Sequence, residues 1–202
     1  MRRPYNTSSS FVDLLFNVLI GFFMLLLLAL ALIKPETNKK DVELKAEYIV
    51  TMEWPDDNKN DVDLMVKTPL NEVVWYHHRD VKSASLDRDD LGWKNDTIIL
   101  DDGSKFVIKE NYEHVTIRKT FQGEYIVNIV MFRKEDSKPT PVSIKVEKLN
   151  PYRLVFAATV DLNYGGEEKT VIRFKVDSKG NVIRRSAEPY SIRNTLRRDM
   201  GR

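Results

Sequence analysis

Asp13 is the residue of this chain whose type and place point most directly to chemistry. It lies inside Phe11 to Ile33, a run of 23 residues with no other ionisable side chain. A charged group in the middle of a bilayer-spanning helix costs roughly 2.5 to 3.5 kcal/mol on the insertion scale. A carboxyl kept there has one of two uses. Two residues into the run, it caps the helix or faces water near the headgroups; otherwise it binds and releases a proton or a cation along a protein-lined path. Asn17, Ile20 and Met24 follow Asp13 at intervals of four, three and four. On a helix they share one face, with the two polar residues one turn apart. Beyond Met24 come Leu25-Leu26-Leu27-Leu28 and alternating Ala and Leu, which offer no group to continue a proton wire. An ion path through Asp13 therefore requires helices of a second protein around the Asp-bearing face.

The other candidates are weaker. His77, His78 and His114 are the only histidines, and neighbours in a strand would point to opposite faces, which argues against a shared metal. The chain has no Cys, so a disulfide framework and a thiolate site are excluded. It carries no Gly-x-Ser-x-Gly, no His-Glu-x-x-His and no glycine-rich phosphate loop; no enzyme activity and no cofactor are expected. Asp56-Asp57-Asn58-Lys59-Asn60-Asp61 begins like a helix-loop-helix calcium loop. It then has Asp61 where that loop needs Gly and Lys67 where it needs a bidentate Glu. A calcium site built from loops, using Asp61, Asp63, Asp87 and Asp89, is the metal alternative; polar turns are the default reading, and no metal is expected.

The elements that hold these residues follow from hydropathy and turn chemistry. At about 1.5 Å per residue, residues 11–33 would make a helix about 34 Å long, enough for a hydrocarbon core of about 30 Å. The apolar run is longer than the about 7–15 residues of a signal-peptide centre, and Ala29-Leu30-Ala31 lies inside it rather than after it, which favours a retained anchor over a cleaved signal peptide. Arg2 and Arg3 on one side face Lys34, Lys39, Lys40 and Lys45 on the other, so the count of basic residues leans away from a cytoplasmic N-terminus and orientation must come from elsewhere. Residues 1–10 read as a short head before the span, and residues 34–45, charged and containing Pro35, as a linker after it. From residue 46 the pattern is strand-like: 47–54, 61–66 and 72–76, then 97–100, 105–108, 114–118, 124–132, 142–147, 154–162 and 170–176. Turn signals at Asp102-Gly103, Gln122-Gly123, Gly165-Gly166 and Lys179-Gly180 separate several of them. About ten short strands predict a β-sandwich over residues 46–183. Residues 184–202 hold six Arg against two acids and read as a basic, solvated tail, or as a segment for anionic lipid or an acidic partner. The whole chain of 202 residues has 32 basic and 30 acidic side chains. That balance, with no groove-reading motif, makes nucleic acid an unexpected partner.

Two resemblances add to this reading. A basic head, the stretch Thr7-Ser8-Ser9-Ser10, then Phe11-Val12-Asp13-Leu14-Leu15-Phe16-Asn17-Val18-Leu19-Ile20-Gly21-Phe22-Phe23 and a single span before a larger domain resemble the MotB, ExbD and TolR group and the similar subunit of the Zorya system. These are Asp-bearing subunits of ion-driven stator and energy-transducing complexes. The likeness covers about the first 35 residues. It implies a cytoplasmic N-terminus, a C-terminal domain outside a bacterial-type inner membrane, and a dimer within a ring of five MotA- or ExbB-like multi-span subunits. It also implies that Asp13 carries the proton or Na⁺. Further on, Asn60-Asp61-Val62-Asp63-Leu64-Met65-Val66, Leu86-Asp87-Arg88-Asp89-Asp90-Leu91-Gly92, Glu110-Asn111 and Gly123-Glu124-Tyr125-Ile126-Val127-Asn128-Ile129 are similar to extracytoplasmic β-sandwich modules of the YfaP type. That second likeness spans about residues 48–148 and implies no chemistry. No OmpA-like peptidoglycan-binding segment is present.

The sequence thus leads to a non-enzymatic motor subunit: a span that dimerises inside a multi-span ring, with Asp13 carrying the ion, Asn17, Ile20 and Met24 facing the pore or interface, and a β-sandwich passing force to an unidentified target. The rival is a membrane-tethered β-sandwich recognition module without ion transport, in which Asp13 is merely interfacial.

Overall fold

The computed structural model describes residues 7–32, 46–92, 97–107 and 110–200. The linker expected at residues 34–45 and the first six residues of the head lie outside the described residues. The chain divides into two units, an N-terminal helix and a β domain.

Helix α1 runs without a break from Thr7 to Leu32, about 39 Å at 1.5 Å per residue. It starts four residues before the apolar run, so the polar stretch Thr7-Ser8-Ser9-Ser10, expected in the head, is its first turn. Phe11–Leu30 is long and apolar enough to cross a membrane, and none of that segment is buried.

The β domain is built from two five-stranded antiparallel sheets and a separate hairpin. Its strands are β1 (Tyr48–Trp54), β2 (Asp61–Lys67), β3 (Val73–Val74), β4 (Ala84–Arg88), β5 (Thr97–Ile99), β6 (Lys105–Val107), β7 (Asn111–Ile117), β8 (Gly123–Arg133), β9 (Thr140–Leu149), β10 (Tyr152–Leu162), β11 (Glu168–Val176) and β12 (Val182–Ser186). The first sheet has the order β10-β9-β1-β7-β4 and the second β12-β11-β8-β2-β3, while β5 and β6 pair only with each other. Inward residues alternate along β1 (Tyr48, Val50, Met52, Trp54) and along β9 (Val142, Ile144, Val146). They meet Val62, Leu64 and Val66 of β2 and Tyr125, Val127, Ile129 and Met131 of β8 in one core, the arrangement of a β-sandwich. Register follows this pattern, since Val50 lies between Val115 and Val146.

β8 is buried from Tyr125 to Met131 and β2 from Asp61 to Val66, on both faces. The outer face of their sheet is covered by helix α2 (Ile192–Met200), in the segment that the basic composition marked as a tail. Its few apolar residues are spaced to make one face. Ile192 and Leu196, one turn apart, pack with Met65, Val73, Ile126 and Val130, joined by Trp75 and Tyr190. Glu168 of β11 fixes the start of α2, accepting from the backbone N–H of Ile192 at 2.7 Å and from Ser191 Oγ at 2.6 Å. Ser191 Oγ in turn accepts from Asn194 N–H at 3.1 Å, the pattern of an N-cap. The strand β4 also had no sequence signal. Ala84-Ser85-Leu86-Asp87-Arg88 holds only two apolar residues, both buried against the core.

Candidate functional site

On α1, at about 100° per residue, Asp13, Asn17, Ile20 and Met24 fall within about 60° of arc. All four are exposed on the helix surface. Asp13 is the seventh residue of the helix, and the first turn contains no acidic side chain. The backbone N–H groups that a capping side chain would satisfy belong to that first turn. Asp13 is therefore past the position of a cap, about 9 Å along the axis from the helix start.

In the β domain, the polar segments singled out in the sequence converge at one end of the sandwich. Asn60, fully buried, donates from Nδ2 to Thr140 Oγ1 at 2.8 Å, and its Oδ1 accepts from Glu135 N–H at 2.6 Å. Asn111 donates from Nδ2 to the carbonyls of Pro55 at 2.6 Å and Asn58 at 2.8 Å. These two amides brace the loops. Asp90, also fully buried, accepts from Arg88 Nη2 at 3.0 Å and from Gly92 N–H at 3.0 Å. Gly92 has φ +66° with the carbonyls of Lys59 and Asn60 3.0 Å from where a Cβ would stand, so the turn needs glycine there and presses the two loops together.

Within this frame Asp63 of β2, Asp89 after β4 and Glu113 of β7 each present a carboxylate oxygen within 4.8 Å of the other two. Among the described residues, no other group of His, Asp or Glu side chains is gathered closely enough to share a metal ion. Glu113 is 1% exposed; its Oε2 accepts from Leu64 N–H at 2.9 Å and its Oε1 from Asp90 N–H at 3.2 Å. β2 pairs with β3 only at Val66 and Lys67, so the N–H of Leu64 on that open edge is free to meet an acid from the other sheet. Asp63 is 5% exposed. Burial, then the charges of Asp61 and Asp89, push its carboxyl up to about 8. Burial, then the Asp63 charge, raises Glu113 well above the ordinary range, against the pull of its two backbone hydrogen bonds. Carboxyls gathered this way resist ionising together; a proton or a cation has to stand between them.

Of the four acids considered for a loop-built calcium site, the structure brings Asp63 and Asp89 together and places Asp61 close enough to act on Asp63. Asp61 Oδ2 lies 3.8 Å from Arg133 Nη1. Asp87 is directed elsewhere, accepting from Ser85 Oγ at 2.6 Å and from Thr116 Oγ1, with His114 Nε2 at 3.7 Å. The position sequence reasoning missed is Glu113. A signal was present: the alternation Asn111, Glu113, Val115, Ile117 puts this acid on the inward face of β7.

The histidines stay apart from the trio. Trp75 and His78 close a tight turn through paired backbone hydrogen bonds of 2.8 and 3.2 Å, so His77 and His78 are not strand neighbours. His77 packs against Tyr76, with ring centres 4.2 Å apart. Among the cavities on the β domain are two that hold residues named above. One of about 190 Å³ is lined by Asp63, Trp75, Tyr76, Phe132, Arg193 and Arg197 among others. A wider one of about 630 Å³ lies over Thr51, Glu53, Tyr112, His114 and Ser143, on the outer side of the first sheet.

No protein-family model matches this chain, and no curated protein matches it. A solved structure described as "Crystal structure of unknown function protein SAV2460" is similar to it over 77% of this chain and 97% of that one, at 18% sequence identity and a TM-score of 0.47.

Proposed function

We propose that this chain is a non-enzymatic, single-pass subunit of an ion-driven membrane motor, held as a dimer within a ring of multi-span partner subunits. Asp13 takes up a proton or Na⁺ from one side and releases it to the other; neutralising its charge lets the ring step relative to the dimer. Asn17, Ile20 and Met24 extend the face that the partner helices cover. The N-terminus is cytoplasmic, and the β domain stands outside the inner membrane, where it passes force to a target. The observation that carries this reading is the place of Asp13: inside an unbroken apolar helix, past its first turn, where capping does not account for it. A carboxyl on such a helix, exposed at its own surface, is costly against lipid and calls for a polar environment, which in this reading the partner chains supply.

Ion flux tests it. The chain, co-produced with any polytopic proteins found to co-purify with it, is placed in membrane vesicles and cation-driven pH change is followed. The reading predicts flux that Asp13→Asn abolishes and Asp13→Glu partly retains. Flux unaffected by Asp13→Asn contradicts it.

The second reading, a tethered β-sandwich that binds a ligand without ion transport, draws on the aromatic-lined cavity beside Asp63. Under it any apolar span replaces residues 11–33 without loss.

A further inference from the structure

Asp63 differs from Asp61, Asp90 and Glu113, the other buried acids at its end of the sandwich. Asp90 holds Arg88 and the Gly92 turn, Glu113 holds two backbone N–H groups, and Asp61 faces Arg133. Asp63, 95% removed from solvent, accepts no hydrogen bond and makes no ion pair among the described residues. Burying a charged carboxyl without a bonded partner is costly, so Asp63 either holds a proton or meets a cation, with the Arg193 charge acting on it among the described residues. Its oxygen points into the space shared with Asp89 and Glu113, and the residue also lines the 190 Å³ cavity, which opens a route from solvent.

We propose that Asp63, Asp89 and Glu113 form a binding site for one divalent hard cation of the Ca²⁺ class. The donors are all carboxylate oxygens, which suits Ca²⁺ or Mg²⁺ rather than a thiophilic or imidazole-seeking metal. Two oxygens held at about 2.3–2.6 Å from one ion are at most about 5 Å apart, and the three here lie within 4.8 Å of one another. The strict octahedron of Mg²⁺, at about 2.0–2.1 Å, would require a tighter cluster, whereas Ca²⁺ accepts irregular ligands and completes its shell with water. Glu113 keeps its backbone bonds and offers a remaining lone pair of one oxygen. Asp89 comes from the loop that Asp90 and Gly92 fix, and Asp63 from the open edge of β2. The cation thereby ties the first sheet, through β7 and the loop after β4, to the second sheet. The trio's negative charge, opposed nearby by Arg133 and Arg193, is then neutralised inside the fold.

The site is separate from Asp13 and stands or falls without the motor reading. The test uses the full chain in mild detergent, treated with chelator and titrated with CaCl₂ or MgCl₂ by calorimetry. Thermal unfolding is followed alongside through tryptophan fluorescence, to which Trp75 beside Asp63 contributes. The expected result is one Ca²⁺ per chain, saturating below about 1 mM, with an unfolding midpoint that rises with Ca²⁺ concentration. Asp63→Asn and Asp89→Asn each weaken binding at least about tenfold, and Asp57→Asn, a surface acid outside the cluster, leaves it unchanged. Absence of both heat and midpoint shift in the parent chain up to about 5 mM overturns the site. So does binding that survives Asp89→Asn, a loop substitution outside the strands, at parental affinity.

Discussion

The Glu113 carboxylate of one sheet accepts the backbone N–H of Leu64 in the other at 2.9 Å, so a single buried acid joins the facing edges of the sandwich. Its second oxygen holds the N–H of Asp90. Strand edge, loop and carboxylate trio share this one anchor.

Removing the anchor leaves two buried donors unsatisfied, at about 1–3 kcal/mol each. Glu113→Ala is expected to cost about 3 kcal/mol in metal-free protein, a fall in unfolding midpoint of roughly 6–12 °C for a domain of this size. Denaturant and thermal unfolding read this directly, and a loss under about 1 kcal/mol would show that the two N–H groups find other partners.

Glu168 plays the corresponding part for α2. It accepts from Ser191 Oγ, Ile192 N–H and Asn128 Nδ2. Glu168→Ala should release the helix by about 1–2 kcal/mol. In hydrogen exchange the amides of 193–198 should lose protection while those of β1 and β9 stay protected. Equal loss throughout the domain would mean that α2 and the sandwich unfold as one unit.

The turn before β12 responds to acid. Asp177 accepts from the N–H groups of Asn181 at 2.8 Å and Lys179 at 2.9 Å, and these bonds, that from Asn181 first, hold its carboxyl below the usual range. Its contribution is present above the ordinary value of 3.8 and is lost as pH falls through the lower folded value. Because the turn stands at the surface, where solvent screens the charge, the effect is small. Asp177→Asn should flatten the acid limb of the urea midpoint below about pH 4; superimposable limbs would exclude the contribution.

The face of α1 can be mapped by cross-linking, since the chain has no native Cys. With a thiol-reactive photo-cross-linker, Ile20→Cys and Met24→Cys are expected to capture a polytopic partner. Leu15→Cys and Phe22→Cys, about 180° away from Asp13 around the helix, should do so several-fold less. Uniform capture around the helix would remove the special role of the Asp13 face.

Much of this was legible in the chain itself. Strands such as β1 and β9 declare themselves because one face meets the core and the other does not, so alternation is visible. Of the acids Asp61, Asp63, Asp87 and Asp89 weighed together in the sequence, Asp63 and Asp89 do meet, while Asp87 turns away. What stayed hidden has a physical reason in each case. β4 is short and half polar, and its two apolar residues make no period. α2 packs Ile192 and Leu196 on the sheet among four charged side chains, and its docking depends on Glu168, distant in sequence. The charge balance of the segment therefore pointed to a solvated tail where tertiary packing makes a helix. Glu113 was passed over because a single inward acid on a strand is meaningful only when the opposite sheet is known to bring Asp63 to meet it.

The central claim is that α1 works inside a polytopic assembly. The direct measurement is purification of the tagged full chain from its native membrane in mild detergent, followed by identification of co-purifying proteins and native mass. The account predicts two copies of this chain with a multi-span protein in excess, dissociating when Asp13 and Asn17 are replaced by Leu. Recovery of the chain from an intact membrane extract without any multi-span partner would contradict it.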